Sequence, residues 1–171
     1  MVNATTGALS IDVVVQSKAW SALAPTKERV AALLQRAVGA ALARAGVSLR
    51  EGAELGVALA DDETVRQLNG RWRGFDKPTN VLSFPSVEPD ELAAAPHIGD
   101  IVLAFETVAR EAEDDGKTLA DHTAHLVVHG TLHLVGFDHE TDAEAEEMEA
   151  LEIAALADLG IADPYADLDL L

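Results

Sequence analysis

Cysteine is absent from this chain of 171 residues. That excludes disulfides and thiolate metal sites, and it makes a reducing compartment the easier setting. Aromatic residues are scarce, at 4%. The core must therefore be built from aliphatic side chains, and any aromatic pair placed among polar residues stands out. No apolar run approaches the ~18–20 residues of a membrane-spanning helix. The stretch Met1 to Ser10 holds no basic residue and no apolar core, so a secretory signal is not expected. Basic residues are missing from the last third of the chain: all 12 Lys and Arg lie at or before Lys117, and 13 Asp and Glu follow from Thr118 onward. A soluble, cytoplasmic protein is the expectation, with no membrane partner.

Apolar residues make up 49% of the chain, which suits a folded protein with its own core. A single domain spanning residues 1–171 follows from that length. The formal net charge is −18, which taken alone argues against a phosphate-rich partner. Its distribution argues otherwise. Arg66, Arg71, Arg73 and Lys77 fall close together and can form a local basic patch on an acidic body.

Hydrophobic period divides the chain into short strands and amphipathic helices. Ile11–Val15, Glu54–Ala60, Asn80–Phe84 and Ile98–Ala104 read as strands. Helices are predicted over Lys27–Ala45, from Asp61 through Leu68, over Glu106–Asp115, over Leu119–Val135, and from the capping box at Thr141 to about Leu159. Arg71–Thr79 and the acidic, proline-bearing Ser86–Pro96 read as loops, the second a mobile one. Ile161–Leu171 reads as a short, frayed tail. The order predicts an α+β fold: a small mixed four-stranded sheet covered by about five helices.

The most informative stretch is His129-Gly-Thr-Leu-His133-Leu-Val-Gly-Phe-Asp-His139, with the spacing H-x-x-x-H-x-x-G-x-x-H. His129 and His133 lie four apart, on one helix face. Gly136 can turn the chain back, so that His139 completes a three-nitrogen site on a buried helix and the turn after it. Three imidazoles and an open fourth position suit a catalytic zinc. In zinc proteases with this spacing, the residue after the first His is a Glu acting as general base. Here it is Gly130. His125 lies one turn earlier and could be a fourth ligand, but its offset of about 6 Å along the axis favours supporting the site or packing beside it. Asp138 can cap the helix end, orient a ligand ring or face solvent. His97 and His122 are expected to make ordinary hydrogen bonds.

A second constellation runs from Leu68 to Pro85 and contains Arg71, Trp72, Arg73, Phe75, Asp76 and Lys77. Arginine forks suit phosphate, and exposed aromatics can stack on unpaired bases. The competing reading is a packed loop with buried aromatics and Arg paired to Asp.

Together the two segments resemble the YbeY family of bacterial endoribonucleases. The resemblance rests on His129-Gly-x-x-His133-Leu-x-Gly-x-Asp138-His139 and on Leu68-Asn-x-x-x-Arg73-Gly-x-Asp76-Lys77-Pro78-Thr79-Asn80-Val81-Leu82-Ser83-Phe84-Pro85. Gly99-Asp100-Ile101 and the Glu-Ala-Glu146-Glu147-Met148-Glu149 run add to it. It implies one zinc per chain held by His129, His133 and His139, and a catalytic, RNA-facing Arg73. It also implies single-strand-specific endoribonuclease activity in 16S ribosomal RNA 3′-end maturation and ribosome quality control, with RNA and the ribosome or its proteins as partners. The alternatives are a metal-dependent hydrolase of another substrate and a ribosome-assembly factor with a structural zinc.

Overall fold

The computed structural model describes residues 2–6 and 9–166, with side chains from residue 9. Five strands form one mixed sheet: β1 (Val2–Thr6), β2 (Leu9–Val15), β3 (Ala53–Ala60), β4 (Val81–Pro85) and β5 (His97–Ala104). Their spatial order is β1-β2-β3-β5-β4. β2, β3 and β5 run parallel to one another, while the outer strands β1 and β4 pair antiparallel to their neighbours. The four expected strands are all present, and β1 adds a fifth at the edge beside β2. Its sequence, Val-Asn-Ala-Thr-Thr, has too little apolar alternation to announce a strand.

Five α-helices accompany the strands, the first two between strands and the last three after β5: α1 (Lys27–Ala45), α2 (Asp62–Arg73), α3 (Phe105–Asp114), α4 (Leu119–Leu134) and α5 (Asp142–Asp158). Capping side chains fix where four of them begin. Thr26, Asp61, Thr118 and Thr141 each accept a hydrogen bond from the backbone N–H three residues on. None of these helices is long and apolar enough to cross a membrane.

Strand alternation sorts side chains to the two faces of the sheet. Leu55, Val57 and Leu59 of β3, with Ile101 and Leu103 of β5, enter the main core beneath α1, α4 and α5. Ala60, Val102 and Ala104 face the other side and pack with Val65 and Leu68 of α2. The helices thus lie on both faces, and α4 is the most deeply held. Ten of its sixteen residues are buried, so it is enclosed on most sides.

Two connections depart from expectation. Pro89–Ala94 forms a 3-10 turn, and Leu92 and Ala95 are buried. The Ser86–Pro96 segment is therefore pinned to the core instead of hanging free. The described part of the tail is also anchored, through Tyr165 to Glu152 of α5. Residues 167–171 of the predicted frayed tail lie outside the described residues.

Candidate metal centre

α4 carries His129 and His133 one turn apart on one face, beside β4 and the start of the turn. The helix stops after Leu134, and Gly136 adopts a φ of +103°. A Cβ at that position would also lie 2.8 Å from the Pro89 Cγ. Left-handed backbone and lack of space both require glycine there. The turn brings His139 back to the first two histidines. Nitrogens from all three lie within 4.8 Å of one another.

Their geometry fits a small cation that prefers nitrogen. His129 Nε2 and His133 Nε2 are 3.1 Å apart. Nitrogens at ~2.0–2.1 Å from a tetrahedral zinc stand roughly 3.4 Å from each other, so this pair already has nearly the required spacing. Among the described residues this is the one group of at least three potential ligands, and it supplies three donors. A tetrahedral ion there would keep one position for water or substrate. Burial first, and then the charges of His129 and His139, push the His133 pKa down to about 4. Its imidazole is therefore neutral near pH 7, the form that ligates metal.

Behind His129 stands a buried carboxylate. Glu152, on α5, is 1% exposed. It accepts hydrogen bonds from His129 Nδ1, from His125 Nε2 at 3.1 Å, and from the Tyr165 hydroxyl. Burial alone would raise the Glu152 pKa, but the bonds from His125, His129 and Tyr165 outweigh it and hold the group down at about 2. His125 therefore points at Glu152, not into the cluster. Asp138 accepts from the His139 backbone N–H at 2.8 Å, while its nearest approach to His133 Nδ1 is 4.0 Å, too long for a hydrogen bond. His97 and His122 make ordinary contacts, with Asp100 at 3.3 Å and Glu111 at 2.9 Å.

Sequence reasoning missed Glu152 and Tyr165. A signal for Glu152 was present. The buried residues of α5 are Met148, Glu152, Ala155 and Leu156, so an acid occupies the apolar stripe of an otherwise conventional helix face. Tyr165 gave no signal, because it lies beyond the last periodic segment.

The absence of Glu at position 130 now has a physical reason. Gly130 faces the sheet, where α4 crosses β4 and β5. A Cβ there would lie 3.0 Å from Ser83 Oγ and 3.3 Å from Ile101 Cδ1. Ser83 Oγ donates to the Gly130 carbonyl at 3.2 Å across the same contact. A longer side chain at position 130 would enter packed sheet and not the histidine site.

Two clefts flank the histidines. One, of about 510 Å³, is lined by the Pro85–Pro89 segment, Glu91, His133 and Gly136. The other, of about 690 Å³, contains His139 together with Arg73, Phe75, Lys77, Arg110 and Glu111. Arg73 closes α2, which runs further than the sequence suggests, to Gly74. The Arg73 Nη2 donates to the Ser83 carbonyl at 2.7 Å, and its guanidinium lies 5.6 Å from the centre of the Phe84 ring. Among the described residues no carboxylate pairs with it. Arg66, by contrast, is engaged by Glu63 and Asp76. Trp72 and Phe75 are the two aromatics with large exposure, 61% and 58%. The packed-loop reading of this segment therefore fails for Trp72, Phe75 and Arg73, and holds for Phe84, which packs on the core, and for Asp76, which pairs with Arg66 just before the segment.

These features define a class: a mixed α+β domain with a three-histidine site on a buried helix and the turn after it. Comparison with known proteins makes the class specific. The family model described as Endoribonuclease YbeY matches residues 15–160, and the chain belongs to that family. Relatives named Endoribonuclease YbeY include one from Azorhizobium caulinodans, 54% identical and covering 92% of this chain and 97% of its own. Another, from Rhodopseudomonas palustris, is 51% identical and covers 92% of this chain and 82% of its own. A third, from Paramagnetospirillum magneticum, is 51% identical, with coverage of 93% and 97%.

Proposed function

We propose that this chain is a zinc-dependent endoribonuclease of single-stranded RNA, acting as one domain in the cytoplasm. Its role would be 16S ribosomal RNA 3′-end maturation and ribosome quality control, with the ribosome or its proteins as partners. Family membership supports the endoribonuclease activity, and the resemblance in the two motifs supports the ribosomal role. The single observation that carries the reading is that Arg73, with no carboxylate partner among the described residues, and the ligand-capable His139 line one cleft.

One zinc per chain, held by His129, His133 and His139, would acidify a water or polarise a phosphoryl oxygen. The protein supplies the rest. Arg73 has its Nη2 bonded to a carbonyl and its guanidinium beside the Phe84 ring, and among the described residues no carboxylate takes its remaining donors, which can serve phosphate oxygens. In the transition state those donors meet added negative charge on phosphorus. Lys77 and Arg110 in the same cleft add positive charge along an RNA backbone. A peptidase reading is disfavoured because position 130 packs on the sheet and cannot present a base. A purely structural zinc is disfavoured because such sites are usually closed by four protein donors.

Metal analysis paired with cleavage of a purified single-stranded RNA tests the reading on wild type and His133→Ala. Zinc near one equivalent and cleavage in wild type, both lost in the variant, is the expected result. Cleavage that survives complete loss of metal would overturn it.

A further inference from the structure

We propose that Glu152 is a positioning residue for the metal ligand His129, and that Tyr165 completes its clamp. The proposal rests on the metal reading of the three histidines and extends it to residues outside the motif.

An ionised carboxylate only accepts hydrogen bonds. His129 Nδ1 must therefore carry the proton it shares with Glu152, which leaves the Nε2 lone pair free on the side facing His133. An isolated neutral imidazole can place its proton on either nitrogen, and only one choice leaves Nε2 able to ligate. Glu152 thus selects the competent form and fixes the plane of the ring.

The clamp is itself held. His125 donates its Nε2–H to one oxygen of Glu152, and the Tyr165 hydroxyl donates to the same oxygen. The other oxygen is left to His129. The Tyr165 ring meets His125 edge-on at 5.8 Å, so the tail packs against the network as well as bonding to it. A buried acid with three donors, two from α4 and one from the tail, is costly to assemble unless every donor is in place. Among the described residues no buried carboxylate holds the other two ligands. The Asp138 carboxylate is 4.0 Å from His133 Nδ1, and His139 is exposed. Glu152 therefore ties the distant end of the chain to the metal site through one ring.

Two measurements test this. Nitrogen NMR of the metal-free wild type should find His129 protonated on Nδ1, with Nε2 bare. Chelator competition should find zinc binding about 10–100-fold weaker in Glu152→Gln. Tyr165→Phe keeps the ring against His125 and removes one hydrogen bond, so a smaller, several-fold weakening is expected with the thermal midpoint nearly unchanged. If Glu152→Gln fails to fold, Tyr165→Phe decides. Protonation of metal-free His129 on Nε2 overturns the proposal, as does wild-type zinc affinity in the folded variants. A wild type that binds no zinc would sink the metal reading instead, and the tautomer measurement would still judge the clamp.

Discussion

The two sides of the proposed site are built in opposite ways. The histidine side is enclosed. α4 is buried on most faces, Gly130 meets the sheet, and His129 is backed by an acid that is 1% exposed. The arginine side is open. Trp72 and Phe75 are more than half exposed, and Arg73 rests on one carbonyl and one ring face. A metal site needs fixed ligands, so rigidity is worth its desolvation cost there. A surface that takes a flexible single strand needs charge and flat rings instead, and those work best when left exposed. The contrast predicts that the two sides fail differently when altered.

The largest effect should come from the enclosed side. Removing metal with a chelator should lower RNA cleavage on the order of a thousandfold, since a bound metal supplies several kcal/mol of transition-state stabilisation. Added zinc should restore it. Recovery with magnesium alone, and none with zinc, would contradict the nitrogen donor set. Arg73→Ala should come next, with a loss of roughly a hundredfold or more in turnover. Its zinc content should equal wild type, because among the described residues Arg73 is bonded to the Ser83 carbonyl and to none of the three histidines. Loss of metal in that variant would erase the distinction between the two sides.

Gly130→Glu examines the enclosure itself. The substitution recreates the zinc-protease spacing, yet the new side chain must enter the space taken by Ser83 and Ile101. Overpacking and an unpaired buried carboxylate should cost about 3 kcal/mol or more. Thermal unfolding measures this, and a variant as stable as wild type would mean that α4 can shift off the sheet. A milder probe is acid. The Glu152 pKa is held down at about 2, below its ordinary 4.5. Its contribution to stability is therefore complete above the ordinary carboxylate range and is lost as pH falls toward 2. Acid unfolding of wild type should steepen across that window, and Glu152→Gln should flatten it.

The two sides were also unequally legible in the sequence. The histidine spacing, the turn at Gly136 and the four strands β2 to β5 follow from local rules, because period, caps and ligand spacing are properties of short segments. Arg73 was legible as a residue but not in its setting: that Arg66 of the four neighbouring cations is taken up depends on Glu63 and Asp76, and that Arg73 lies in the cleft with His139 depends on the packing of α2. Glu152 and Tyr165 were not read at all. They act on His129 from 23 and 36 positions away in the chain, and only the packing of α5 and the tail against α4 brings them together. Gly130 was read as a missing base, and only the packing shows that it also marks the contact between a helix and a sheet.

The smallest expected effect belongs to Trp72. It is 61% exposed, and Arg71 lies 5.3 Å from the centre of its ring. A ring this open contributes little to the fold, so Trp72→Ala should change stability by no more than about 0.5 kcal/mol. If it stacks on an unpaired base, its loss should weaken RNA binding by about 1–3 kcal/mol, with turnover on bound RNA and zinc content both retained. Wild-type tryptophan fluorescence should also be quenched by single-stranded RNA and much less by duplex. The second tryptophan, Trp20, is 1% exposed and bonded to the Ala60 carbonyl at 2.8 Å, so it serves as the silent internal reference. A variant with unchanged RNA affinity would leave Arg73 and the neighbouring cations as the whole of the open side, and binding there would then be purely a matter of charge.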